Sequence, residues 1–267
     1  MDTLRAEWKK FVTAREPWVG LGLTLLLTAL DVLWSGGVPT DHRDWHARWL
    51  WIELANYQFG MLPILLPIAL IAGLARSFCG ERRGPWAILR CARRGTAATY
   101  GAKTAAALLF AAGTAAVLSG VNLALSTARY PDGIALLFRG DVPADGLGIG
   151  AGTTVWARWL TQLGCSVLGA GCLAGLVLLL SALLRRPVTV MALAAVLYGL
   201  PACAHYGWLP PAAALRSLAV WSWVGMLSYR WPEDVGTALW AFALHMLAVL
   251  AAELALAWLA WRRRDRR

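Results

Sequence analysis

Residues Val155–Leu184 read VWARWLTQLGCSVLGAGCLAGLVLLLSALL, followed by Arg185-Arg186-Pro187 and a second apolar run from Val188 to Tyr206. The first run holds a single charge, Arg158. A bilayer span needs about 17–25 mostly apolar residues, so each run is long enough to cross. A helix of this length at a protein surface in water would carry a charged face, and this one has only that arginine. The arginine doublet between the runs is the short basic loop that positions two spans with their junction on the cytoplasmic side.

The same alternation extends in both directions along the chain. It predicts an all-α, polytopic membrane protein with six transmembrane helices at 18–34, 50–75, 104–125, 155–184, 188–206 and 238–261. The 267 residues are 59% hydrophobic and only 15% charged, with a mean hydropathy of +0.56. A soluble chain of this size needs more charged surface. The net charge of +10 is compatible with nucleic-acid binding in principle, but the charges flank apolar runs instead of forming one basic face, so no nucleic-acid partner is expected. The whole chain, 1–267, reads as one transmembrane domain. The first span follows a mostly polar start without a convincing cleavage site and is expected to be retained. The five cysteines, Cys79, Cys91, Cys165, Cys172 and Cys203, form no C-x-x-C pair and read as packing residues.

Basic residues set the orientation. With the N-terminus in the cytoplasm, the inner segments hold 18 of the 25 lysines and arginines, including Arg185, Arg186 and the C-terminal run from Arg262. Six spans then put both termini inside. Leu215–Met226 is too short to span and follows Pro210-Pro211, so residues 207–237 are expected to form outer-face helices. Most of the 16 tryptophans, among them Trp18, Trp34, Trp156, Trp159, Trp258 and Trp261, lie near expected span ends, where an indole suits the headgroup layer.

Two cytoplasmic segments carry more specific information. In residues 1–16, Leu4, Trp8, Phe11 and Val12 share one helical face while Arg5, Lys9 and Lys10 project elsewhere, an amphipathic interfacial helix suited to an anionic leaflet and so to membrane-lipid partners. The loop 76–103 contains Glu81, Arg82, Arg83, Gly84, Pro85, Trp86, Leu89 and Arg90. Gly84-Pro85 opens a short helix, Trp86 and Leu89 give it an apolar face, and the arginines surround it. Such a helix fits a groove on another protein, or serves only as a topology-fixing positive loop. Within the same loop, Gly95 to Thr104 imitates a phosphate-binding loop, but Ala102 intervenes between Gly101 and Lys103 and no βαβ unit surrounds it. Gly146 to Gly152 is a glycine-rich turn, not a dinucleotide fingerprint.

Acidic residues inside spans are costly and often functional. Asp31, Glu53 and Glu253 are the candidate intramembrane polar residues. Asp31 and Glu53 lie near outer ends, whereas Glu253 is deeper, where it either hydrogen-bonds within the bundle or meets substrate or a proton. His42 and His46 lack the His-Glu-x-x-His arrangement of a zinc site. No metal site and no catalytic nucleophile–base pair is expected, so the chain reads as a non-enzyme.

The amphipathic start, Leu4 to Lys10, and the loop elements Glu81, Gly84, Trp86 to Leu89, Arg93-Arg94 and Lys103 resemble the permease subunit of a type-2 (exporter) ATP-binding-cassette transporter over nearly the whole chain. Within that family the chain is similar to lantibiotic self-immunity permeases, which share a proline-containing second span (here Pro63 and Pro67) and a Glu81-to-Trp86 spacing. The resemblance implies that Glu81, Arg82, Arg83, Gly84, Trp86, Leu89 and Arg90 form the ATPase-coupling element. It also implies partners in a cytoplasmic ATPase subunit, which carries ATP and Mg, and in a second identical or related permease. The expected substrate is amphipathic: an antimicrobial peptide, lipid or drug. A stand-alone intramembrane enzyme and a membrane anchor for a partner are the other readings of the same residues.

Overall fold

The computed structural model describes residues 2–34, 43–79, 95–138, 154–208, 223–227 and 239–265. In chain order these form α1 (Asp2–Thr13), α2 (Arg15–Trp34), α3 (Arg43–Asn56), a π-helical turn (Tyr57–Met61), α4 (Leu62–Leu74), α5 (Gly95–Arg129), a 3₁₀ stretch (Pro131–Phe138), α6 (Val155–Leu183), α7 (Pro187–His205), α8 (Trp223–Leu227) and α9 (Leu239–Asp265). The described residues include no strand. Six helices are long and apolar enough to cross a membrane: Arg15–Trp34, Trp49–Leu74, Ala97–Arg129, Val155–Leu183, Pro187–His205 and Leu239–Arg263. The architecture is that of a multi-pass membrane protein.

The direction of the side chains identifies the solvent. On α2, Gly20, Thr24, Thr28 and Val32 are buried at a four-residue spacing, while Leu23, Leu26, Leu30 and Leu33 are exposed. A water-facing helix would do the opposite. In lipid, leucine belongs outside and small or hydroxyl residues belong at helix contacts. Thr24 and Thr28 return their hydroxyls to the carbonyls of Gly20 and Thr24 at 3.0 and 2.9 Å, which meets the need of each hydroxyl for a partner. Gly20 lets α2 approach α4: a Cβ there would sit 3.4 Å from the Cα of Ala69 and the Cβ of Ala72.

The second span is the irregular one, and its prolines explain why. Pro63 has no N–H for the carbonyl of Phe59, and Pro67 has none for that of Pro63. The helix widens into the π turn just before Pro63. Two tyrosines of the α7 segment supply the missing donors. Tyr206 Oη donates to Phe59 O at 2.9 Å, and Tyr198 Oη donates to Pro63 O at 2.5 Å. Backbone groups in hydrocarbon must find partners, so the sequence of the second span requires the tyrosines of the fifth.

The third apolar helix starts earlier than the expected 104. Lys103 was expected in the cytoplasmic loop 76–103, just ahead of that span. Here it is buried and ion-paired, so the helix runs from Gly95 without a break. At the centre, α6 packs against α4, α5, α7, α8 and α9. Thr154 caps its start, with Oγ1 accepting from Ala157 N at 3.1 Å.

Aromatic residues close both ends of the bundle. At one end, Phe78 stacks on Tyr100 and tilts against Trp261, and Tyr100 meets Trp258. At the other, Trp156 stacks on Trp159 and also meets Phe138. The first end gathers α1, the turn after α4, the start of α5, the end of α6 and the end of α9. Lys103 contacts Glu7 and Ser77, Cys79 Sγ reaches the carbonyls of Ser181 and Leu184, and Phe78 meets Trp261. The segments carrying Lys9-Lys10, Arg76, Arg185-Arg186 and Arg262-Arg263 therefore share one end of the fold.

Candidate functional site

Three polar constellations stand inside this apolar frame. The first is at the basic end. Glu7, on the bundle-facing side of α1, is 8% exposed; its carboxylate accepts from Lys10 at 2.7 Å and pairs with Lys103 at 3.1 Å. Lys103, 7% exposed, also donates to the Ser77 carbonyl at 3.3 Å, and its ammonium lies 5.8 Å from the Phe78 ring centroid. A buried ammonium needs this many partners. Beside it, Arg76 is ion-paired with Glu16 at the start of α2. Trp18 Nε1 donates to Val12 O at 2.7 Å and fixes the α1–α2 corner. The side of α1 that packs inward is thus ionic and aromatic, with Phe11 against Phe110, while Leu4, Trp8 and Val12 face outward. Ser77 and Lys103 are the near flanks of residues 80–94. The coupling residues expected from sequence, Glu81, Arg82, Arg83, Gly84, Trp86, Leu89 and Arg90, lie outside the described residues.

The second constellation is at the opposite end and includes two of the expected residues. Asp31 is half-buried near the end of α2, and Glu53 of α3 is buried close enough to interact with it electrostatically. Thr28 and Tyr57 hydroxyls are 2.8 Å apart. The Arg129 guanidinium donates to Val32 O and lies 5.6 Å from the Tyr130 ring. Burial lifts the Tyr130 phenol above its ordinary range; the Arg129 charge opposes this and the Glu53 charge adds to it. Inward from here runs a seam that sequence reasoning missed. On α5, Ser119, Asn122 and Ser126 are fully buried, and on α6 Arg158, Gln162 and Ser166 are buried at a four-residue spacing. Leu108 lies against Gly171, while Leu123 and Tyr130 cluster with Val155 and Trp159, so the two helices run antiparallel and the two polar sets occupy the same half of the bundle. Arg158 lies 6.0 Å from the Phe59 ring, which brings the π turn and its buried Gln58 to the same seam. Both amide atoms of Asn122, the hydroxyls of Ser119 and Ser126, and Gln58 Nε2 have no hydrogen-bond partner among the described residues. Their sequence signal is the amide in an apolar span, which carries no charge to mark it.

The third constellation is Glu253. Its Oε1 accepts from Trp223 Nε1 of α8 at 3.1 Å, and its Oε2 has no partner among the described residues. It lies over Gly175, where a Cβ would come within 2.6 Å of Oε2. Gly175 is thus a seat for a carboxyl. Of the stretch 207–237, α8 packs against α6: Leu227 crowds Gly169, and Gln162 donates to the Leu227 carbonyl at 3.3 Å. Trp223 meets α9 about 21 Å along its axis from Leu239, deep within the helix.

The structure does not bring the three acidic residues together: Asp31 and Glu53 are neighbours, while Glu253 belongs to the α6–α8–α9 junction. Among the described residues, no group of three or more His, Cys, Asp and Glu is placed to hold a metal ion. The arrangement offers buried hydrogen-bond donors and acceptors within the membrane and an ion-paired clamp at one end. These define a multi-pass helical membrane protein with a polar interior. No family model and no curated protein sequence matches the chain.

Proposed function

We propose that this chain is the membrane permease subunit of an ATP-binding-cassette exporter, oriented with its basic end and both termini in the cytoplasm, in the cell membrane. A separate ATPase subunit carries ATP and Mg and docks on the loop containing Trp86 and Leu89, and a second permease completes the unit. The substrate is amphipathic, of the antimicrobial peptide, lipid or drug kind, and leaves outward.

The observation that carries this reading is the Glu7–Lys103–Ser77 cluster, which ties α1 to both flanks of the basic loop. A displacement of that loop would then pass to α4, α5 and α1 together. That is what a chain driven by an external motor requires, because a rigid junction moves packed helices between discrete arrangements. The unmet polar groups of the α5–α6 seam give a bound amphipath something to exchange water for. The immunity role stays with the resemblance in the loop and the second span.

The test is copurification. The tagged permease is co-expressed with a candidate ATP-binding-cassette ATPase subunit and captured in detergent. Trp86→Glu abolishes recovery of the ATPase while membrane insertion is unchanged. Recovery unaffected by the substitution removes the docking role. Substrate turnover by the purified chain alone transfers the assignment to an intramembrane enzyme, and a captured ATPase without any transport in liposomes reduces the chain to an anchor.

A further inference from the structure

Two cavities adjoin between α1, α2, α4 and α5. One, of about 170 Å³, is charged and includes Glu7, Lys10, Glu16, Arg76 and Lys103 in its walls. The other, of about 240 Å³, is walled almost wholly by apolar side chains, including Trp8, Val12, Leu21, Phe110 and Val117. Phe11 and Pro17 belong to both, so the charged pocket opens onto the apolar groove. We propose that together they form a binding site for one anionic glycerophospholipid, with its headgroup beside Lys10 and Arg76 and one acyl chain in the groove.

Three features select this occupant. The first is charge. The pocket sets the three cations Lys10, Arg76 and Lys103 against the two carboxylates of Glu7 and Glu16. One positive charge remains over, and a phosphodiester with an uncharged head alcohol carries one negative charge. Lys10 and Arg76, although ion-paired with Glu7 and Glu16, keep side chains 54% and 66% exposed at the pocket mouth, while Lys103 stays buried with Glu7. The second is length. From Lys103 to Val117 along α5 is about 21 Å, and half of a bilayer's hydrocarbon core is about 15 Å. The charged pocket and the groove together therefore cover the depth from the headgroup level to the midplane. The third is the rim. Trp8 and Trp18, both exposed, stand at the level where indoles favour the headgroup boundary. A free phosphate would use the pocket and leave the groove empty. A second copy of this chain would use the groove and leave the charge unbalanced. The site requires the multi-pass membrane fold alone and holds whether or not an ATPase docks nearby.

The experiment is native mass spectrometry on the full chain in detergent after delipidation, with added phosphatidylglycerol or phosphatidylcholine. One phosphatidylglycerol is retained per chain in preference to phosphatidylcholine. Lys10→Gln weakens retention about fivefold, whereas Lys9→Gln, on the exposed side of α1 outside the pocket, leaves it unchanged. Gly113→Leu abolishes retention by filling the groove; a Cβ at 113 meets nothing within 4 Å, so the helix accepts the larger side chain. If Gly113→Leu fails to insert, the wild-type thermal midpoint decides: it rises with phosphatidylglycerol and not with phosphatidylcholine. Equal retention of both lipids, an equal rise of the midpoint, retention indifferent to Lys10→Gln and Gly113→Leu, or a Gly113→Leu effect confined to self-association overturns the proposal.

Discussion

The hydroxyl of Tyr198 donates to the carbonyl oxygen of Pro63 across 2.5 Å, in the place of the N–H that Pro67 lacks. The bond joins two spans far apart in sequence and lies in the buried core. Tyr198→Phe leaves that carbonyl without a donor and lowers stability by about 1–3 kcal/mol. Pro67→Ala restores the backbone N–H, so Tyr198→Phe in that background costs much less. Thermal unfolding in detergent of the four chains of this cycle measures the difference; equal costs in both backgrounds contradict the assignment.

The Glu7–Lys103 pair predicts an asymmetry. Lys103→Met leaves Glu7 with Lys10, its other cation at 2.7 Å. Glu7→Gln leaves a buried ammonium with weakened company and costs about 3–5 kcal/mol. The double variant Glu7→Gln/Lys103→Met regains part of that loss, since neither charge is then stranded. A thermal midpoint for the double variant below that of Glu7→Gln contradicts the pairing.

Glu253 and Gly175 are predicted to be coupled. Gly175→Ala forces a Cβ to within 2.6 Å of Glu253 Oε2 and 3.0 Å of Leu250 Cδ1, and destabilises by about 1–3 kcal/mol. Shortening the acid with Glu253→Ala removes the closest clash, so Gly175→Ala costs less in that background, with the Leu250 contact remaining. Additive losses in the double-mutant cycle show that the helices shift apart instead.

Asn122 separates stability from transport. Its amide is fully buried with neither end partnered among the described residues. Asn122→Leu removes polar groups that the fold leaves unmet, so stability is unchanged or rises. If the α5–α6 seam carries substrate, transport by the reconstituted permease–ATPase assembly falls at the same time. Full transport with a raised melting temperature assigns the seam to packing.

Much of the frame was legible in the sequence because lipid imposes a length and a composition that runs such as Val155–Leu184 satisfy on their face. Trp156, Trp159, Trp258 and Trp261 do lie near span ends, but Trp159 and Trp261 are buried in the bundle and not turned out to a headgroup layer. What was not legible depends on partners distant in the chain. Pro63 and Pro67 announce an irregular helix, but not that Tyr198 and Tyr206 complete it. Lys103 reads as a boundary until Glu7 is known to neutralise it. Gln58, Asn122 and Gln162 are uncharged, and a search for ionised residues in spans finds Glu253 and overlooks them. Of Glu253's two sequence readings, the hydrogen bond within the bundle is present, donated by Trp223.

The most direct measurement is nucleotide hydrolysis and substrate movement by the purified chain, alone and with the proposed ATPase subunit in liposomes. A permease subunit shows no turnover of either kind alone, and ATP-dependent movement in the assembly that Trp86→Glu abolishes. Hydrolysis or turnover by the isolated chain, or an assembly that works equally well with Trp86→Glu, contradicts the permease assignment.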